Sequence, residues 1–109
     1  GYNIASVART AAGTYRITLT QDTFWGVQIS EANSMLIPEV KLPSTPNAKV
    51  QYLYFVSPGV YDLFVYELSP TGPQGSIIPV LYDLVAGDTM EVFGWMDAGD
   101  GTLPPAAAI

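Results

Sequence analysis

Apolar and polar residues alternate along much of this chain with a period of two, the spacing at which successive side chains of a β-strand point to opposite faces. Tyr15, Ile17 and Leu19, for example, alternate with threonine and arginine. No window shows the i, i+3, i+4 apolar spacing of an amphipathic helix free of proline. The pattern therefore predicts an all-β protein.

The stretch from residue 50 to residue 68 is apolar at 13 of its 19 positions, and its only run of consecutive non-apolar residues is Ser57, Pro58 and Gly59. Proline presets φ and glycine tolerates positive φ, so the interruption predicts the turn of a β-hairpin. Both faces of its first strand are apolar. One face carries Val50, Tyr52, Tyr54 and Val56, and the other carries Leu53 and Phe55. Such a strand is typical of a sandwich centre or of a sheet whose outer face meets another subunit.

Other elements follow from the same pattern and from the positions of glycine and proline. Predicted strands are 4–10, 14–20, 23–33, a short piece at 35–40, 76–84 and 89–96. Gly13 and Gly59 are predicted to take positive φ in turns, and Gly26 to mark a bulge or a close backbone approach. We expect a two-layer antiparallel β-sandwich over residues 1–102, followed by a Pro- and Ala-rich tail at 103–109.

The chain is 49% hydrophobic and only 13% charged, against roughly 25% charged in ordinary soluble domains. This composition favours an assembly in which part of the surface is buried between protomers, although a small rigid monomer is an alternative.

The net charge of −6 argues against a nucleic-acid partner, which would require clustered lysine and arginine. All four cations precede residue 50, whereas residues 51–109 hold seven acids and no cation. This asymmetry could pair neighbouring subunits, collect a cation or simply be solvated. No apolar run approaches the ~18 residues of a membrane span, so no membrane partner is expected.

The chain has no histidine and no cysteine, which excludes histidine triads and thiolate chemistry. Residues 97–102 hold two carboxylates in a Gly-rich loop, but they lack the EF-hand spacing and predict turn geometry rather than a metal site. Asp62 and Glu67 are formally available for glycoside hydrolysis, yet nothing in the sequence pairs them. We therefore expect no enzyme activity, no cofactor and no metal.

Aromatic residues are the candidate binding residues. They are Tyr52, Tyr54, Phe64, Tyr66, Trp25 and Trp95. At period-two spacing in strands such residues belong to a core or a subunit interface, and the alternative is a platform for sugar rings.

The first 20 residues, GYNIASVARTAAGTYRITLT, carry the pattern G-x-N-(I/V)-x-S-V-x-R-T-x-x-G-x-Y-x-(I/V)-x-(F/L). Matching positions are Gly1, Asn3, Ile4, Ser6, Val7, Arg9, Thr10, Gly13, Tyr15, Ile17 and Leu19. This hairpin resembles one found in appendage proteins of tailed bacteriophages, such as tail fibres and related virion proteins. The resemblance implies a structural virion protein.

The segment DLVAGDTMEVFGW near the end of the chain carries the pattern L-x-x-G-D-x-V, matched at Leu84, Gly87, Asp88 and Val92, although Met90 stands where valine is usual. It resembles the closing turn and strand of the C1q and tumour-necrosis-factor type jelly rolls. That resemblance implies a jelly-roll trimer.

Two functions remain open from the sequence. The first is a structural virion protein of a bacteriophage, an appendage, decoration or fibre-tip module that forms a trimer and binds other virion proteins or a host-surface glycan. The second is a monomeric carbohydrate-binding module that uses an aromatic face.

Overall fold

The computed structural model describes residues 4–24 and 26–96, and these residues form β-strands, turns and one short 3-10 turn with no α-helix. The strands are β1 (Ile4–Ala11), β2 (Thr14–Leu19), β3 (Thr23–Phe24), β4 (Val27–Gln28), β5 (Ser34–Lys41), β6 (Lys49–Ser57), β7 (Val60–Ser69), β8 (Ile78–Leu81) and β9 (Thr89–Met96). All pairings among them are antiparallel. The prediction of an all-β sandwich is confirmed. In this part of the chain there is no helix of the length and apolarity that crossing a membrane requires.

The main sheet has five strands, in the order β1-β2-β7-β6, with β8 also paired to β7. Residues 60–64 of β7 pair with β2, and residues 66–69 pair with β8. Because β6 occupies the other side of β7 along nearly its whole length, β7 is the central strand.

The second layer is the pair β5-β9, which is in register over eight residues. Alternate residues of this pair, including Leu36, Val40 and Val92, pack against the inner face of the main sheet. Residues 34–41 form a longer strand than the predicted piece at 35–40.

The core lies between the two layers and is contributed mainly by β2 and β7. Its buried apolar residues are Tyr15, Ile17, Ile29, Val40, Tyr61, Leu63 and Val65. The two buried tyrosines have hydrogen-bond partners, since the Tyr15 hydroxyl accepts from the Leu84 N–H at 2.7 Å and the Tyr61 hydroxyl lies 3.0 Å from Ser34 Oγ. These hydrogen bonds offset the cost of burying the two hydroxyl groups.

The predicted strand at 23–33 was wrong. This segment instead forms the short hairpin β3-β4, which turns at Gly26 with φ of 75°. The positive φ reverses the chain where the sequence suggested a bulge. The Ile29 N–H then donates to the Asp22 carbonyl at 2.8 Å, which brings Ile29 into the core.

The turns at Gly13 and Gly59 agree with the sequence, with φ of 61° and 78°. The predicted strand at 76–84 is reduced to the four residues of β8, and Pro79 lies within it as expected of an edge strand.

Candidate binding face

The outer face of the main sheet is the side of β6 and β7 that points away from the β5-β9 pair. Cross-strand partners in an antiparallel pair point to the same side, so the pairs Tyr52–Phe64 and Val50–Tyr66 share this face. Four of the aromatic residues singled out from the sequence therefore come together. We call Tyr52, Tyr54, Phe64 and Tyr66 the aromatic face.

Two tyrosines dominate the exposed area of the aromatic face. Tyr52 and Tyr54 are 57% and 53% exposed, whereas Phe64 and Tyr66 are half-buried. The rings of Tyr52 and Phe64 have centroids 6.2 Å apart and are tilted by 37°. Within residues 4–24 and 26–96, no element covers these tyrosines.

An ion pair lies beside the aromatic face. Arg16 of β2 is the cross-strand partner of Asp62 of β7. Asp62 is also the cross-strand partner of Tyr54 of β6. The Arg16 guanidinium donates two hydrogen bonds to the Asp62 carboxylate, at 2.9 and 3.1 Å. Because both carboxylate oxygens of Asp62 accept hydrogen bonds from Arg16, covering this residue with a partner protein costs less free energy.

The two tryptophans cannot be assigned to this face. Trp25 lies outside the described residues. Trp95 belongs to β9, opposite Met35 in the second sheet, and its side chain lies outside what the structure describes. The candidate site is therefore formed by β6 and β7.

A second apolar patch lies on the outer side of the β5-β9 pair. Met35, Ile37 and Phe93 are about half exposed, and Ile37 and Phe93 are direct cross-strand partners. The analysis of the sequence did not single them out as a site. A signal was present, because β5 is apolar at three consecutive positions, Met35 to Ile37, and so is apolar on both faces.

The two carboxylates weighed for glycoside hydrolysis do not form a pair. Asp62 points to the outer face, whereas Glu67, an odd number of residues further along β7, points to the other side and is the cross-strand partner of Lys49. The Glu67 carboxylate accepts hydrogen bonds from Thr45 Oγ1 at 2.9 Å and Asn47 Nδ2 at 3.2 Å. The loop at 97–102, the calcium candidate, lies outside the described residues. Among those that are described, no cluster of three or more acids could hold a metal ion.

The charge asymmetry along the sequence is partly explained by pairing within the chain. Besides Arg16 and Asp62, Arg9 of β1 donates to Asp83 at 3.0 and 3.1 Å. In both pairs a cation of the first half meets an acid of the second half. These contacts tie β1 to the segment that follows β8, and β2 to β7.

Asp83 and Asp88 act as acceptors that fix loops. Hydrogen bonds from Arg9 and from the Gly13 N–H hold the pKa of Asp83 below its usual value of 3.8. The Val85 N–H and then Ser44 do the same for the pKa of Asp88. Asp88, one of the residues shared with the jelly-roll pattern, thus ties the turn before β9 to the loop that contains Ser44, with Ser44 Oγ donating at 2.7 Å.

Comparisons with family models, with curated proteins and with solved structures found no significant similarity to this chain. Its function must therefore be inferred from its own residues.

Chemically, the aromatic face offers apolar area with hydroxyl groups and a neutralised ion pair at its side. It presents no unpaired charge between Val50 and Tyr61. Such a surface suits contact with another protein surface or with the flat apolar side of a sugar ring.

Proposed function

We propose that this chain is a structural module of a bacteriophage virion, an appendage, decoration or fibre-tip domain that binds other proteins through its aromatic face. The observation that carries the binding role is the exposure of Tyr52 and Tyr54 on a sheet whose other face already forms the core. The virion context rests on the resemblance of the first hairpin.

The energy available at this face supports a binding role. An aromatic side chain buries ~150–250 Å² when fully covered. Covering the exposed half of one such tyrosine would contribute about 2 kcal/mol at ~25 cal/mol per Å². Two tyrosines side by side therefore form the kind of aromatic cluster from which binding hot spots are built.

A second copy of this chain is the simplest occupant of the aromatic face in an appendage. The jelly-roll and fibre resemblances favour a trimer. The low content of charged residues reduces the desolvation cost of such a contact. We therefore propose a homotrimer that presents the rest of its surface to the particle or the host.

Analytical ultracentrifugation at micromolar concentration tests the assembly. The expected result is a trimer for the natural sequence and loss of that trimer in the double variant Tyr52→Ser, Tyr54→Ser. A matched control, Met35→Ser with Ile37→Ser, removes similar apolar area from the other exposed sheet and is expected to remain trimeric. A natural chain that sediments only as a monomer would contradict the proposal.

A carbohydrate-binding module is the second candidate, because two exposed tyrosines on a flat sheet could stack on sugar rings. A glycan array on the isolated domain separates the two functions. Sugar binding by a monomer that is lost in Tyr52→Ser, Tyr54→Ser would favour this candidate over the structural one.

A further inference from the structure

Strand β6 lies at an edge of the main sheet. The Leu68 N–H donates to the Ala48 carbonyl at 2.8 Å, and the register continues along the hairpin. Hydrogen-bonded pairs alternate in an antiparallel ladder, so Tyr52 and Tyr54 direct their backbone groups toward β7. Gln51, Leu53 and Phe55 consequently direct their N–H and C=O groups away from it. No strand within 4–24 and 26–96 pairs with this outer side.

The other long edge strands carry the features by which proteins protect edges from pairing. Strand β1 has Arg9 and two register irregularities, β5 has Pro38 and Lys41, and β9 has Glu91. The short edge strand β8 has Pro79. In β6, by contrast, residues 50–57 contain no charge and no proline.

We propose that this free edge binds the same edge of a second copy, antiparallel, with Leu53 opposite Leu53 of the partner subunit. The inference concerns the strand edge, goes beyond the proposed function and does not depend on the virion context. The two copies would join their main sheets into one continuous sheet.

The sequence of β6 is self-complementary in this register. Tyr52 lies opposite Tyr54 of the partner subunit, and Val50 lies opposite Val56 of the partner subunit. The only charged residue of the strand, Lys49, lies opposite a serine, so no like charges meet. The three central pairs would exchange about six backbone hydrogen bonds.

A shallow cleft beside the edge adds apolar contact. It lies between β5 and β6 and is lined in part by Met35, Leu36, Leu53 and Phe55. Inward side chains of an added strand would lie over this cleft. The cleft thus gives the second strand an apolar surface to cover in addition to the backbone ladder.

The expected association is weak. A strand of nine residues is ~30 Å long and buries less than the ~800 Å² per partner of a standard interface. Interfaces of standard size range from micromolar to picomolar, so a dissociation constant on the order of micromolar or weaker is expected here. Each chain carries a net charge of −6, so added salt should strengthen the contact by screening repulsion.

Disulfide trapping tests the register, because the natural chain has no cysteine. Single variants Tyr52→Cys and Tyr54→Cys are mixed in equal amounts and oxidised. Opposed residues of a non-hydrogen-bonded pair have Cα atoms ~4.5 Å apart, whereas the 52–52 and 54–54 combinations exceed the ~7 Å reach of a disulfide. The mixed disulfide is expected in about tenfold excess over either homodimer. A random distribution, or no crosslink at hundreds of micromolar, would overturn the inference.

A proline substitution separates this contact from the aromatic face. Gln51→Pro removes an N–H that points to the free edge, and Gln51→Ala keeps that N–H while removing the same side chain. With an unchanged circular dichroism spectrum, Gln51→Pro is expected to abolish edge association and Gln51→Ala to retain it. Equal mass for both variants would refute edge pairing while leaving the trimer proposal standing. Loss of the trimer with the mixed disulfide retained would refute the trimer proposal and leave edge pairing standing. If Gln51→Pro fails to fold, the disulfide result alone decides on edge pairing.

Discussion

Gly13 shows how one residue is constrained both by its own backbone and by its neighbours. Its φ is 61°, and a Cβ built on it would lie 2.8 Å from Tyr82 N and 2.9 Å from Val65 O. Gly87 also has a positive φ, of 96°, but a Cβ there would meet nothing within 4 Å. The two glycines therefore separate backbone strain from steric overlap.

Gly13→Ala is expected to destabilise the fold by more than ~2 kcal/mol, because the methyl group adds overlap with backbone atoms to the ~1–2 kcal/mol cost of a left-handed conformation. Gly87→Ala should cost only the conformational part. Urea unfolding of both variants gives the comparison. Equal losses would show that the surroundings of Gly13 can move apart.

The carboxylate of Asp83 predicts a dependence of stability on pH. Its pKa is lowered in the folded state by Arg9 and the Gly13 N–H, so its contribution is present above the usual value of 3.8 and is lost as pH falls through the lower folded pKa. The melting temperature should therefore fall on acidification below about pH 4, and fall less in Asp83→Asn. Asp22→Asn is the control, since among the described residues the Asp22 carboxylate accepts a hydrogen bond from the adjacent Thr23 alone. An identical acid profile for the natural chain and Asp83→Asn would contradict this role.

At the scale of elements, the hairpin β6-β7 has one face in the core and one face open. Leu63 and Val65 are fully buried, whereas Tyr54, on the other side, is 53% exposed. The alternation in the sequence was sufficient to predict this hairpin and its turn, and so to place Tyr52, Tyr54, Phe64 and Tyr66 in its strands. It could not say which of two apolar faces would be inside, because both satisfy the same pattern.

Leu63→Ala is expected to destabilise the isolated chain by ~2–5 kcal/mol, as for other large-to-small changes in a core. Tyr54→Ala should cost less than ~1 kcal/mol in dilute solution, where its face is uncovered. Chemical unfolding below the association concentration measures both. A loss at Tyr54 as large as that at Leu63 would mean that the outer face belongs to the core of one chain.

The segment after β2 shows where sequence reasoning failed. Val27 and Ile29 have strand-like alternation, but the left-handed φ of Gly26 reverses the chain between them and Phe24. A glycine in a strand pattern can mark a bulge or a turn, and only tertiary contacts such as the Ile29 N–H to Asp22 bond decide between them. The ion pairs Arg9–Asp83 and Arg16–Asp62 were likewise invisible in the sequence, since their partners are 74 and 46 positions apart.

At the scale of the whole molecule, the described residues leave two apolar surfaces uncovered and one strand edge unprotected. If copies associate as proposed, folding and assembly are linked by mass action, and stability depends on protein concentration. The melting temperature should rise as concentration increases from about 1 to 100 μM, and Tyr52→Ser, Tyr54→Ser should reduce this rise. A melting temperature independent of concentration would indicate a self-sufficient monomer.

The central position of β7 has a consequence for how the chain folds. Its partner β6 is joined to it by a short turn, but its other partner, β2, must be brought across the 46 positions that separate Arg16 from Asp62. Local hairpins close within ~1–10 μs, whereas joining distant strands carries the entropy of a long loop. The encounter of the two hairpins, rather than the formation of either, should therefore limit the rate of refolding. We expect a refolding time of about 10⁻³ to 1 s, as for other β-sheet proteins dominated by non-local pairing.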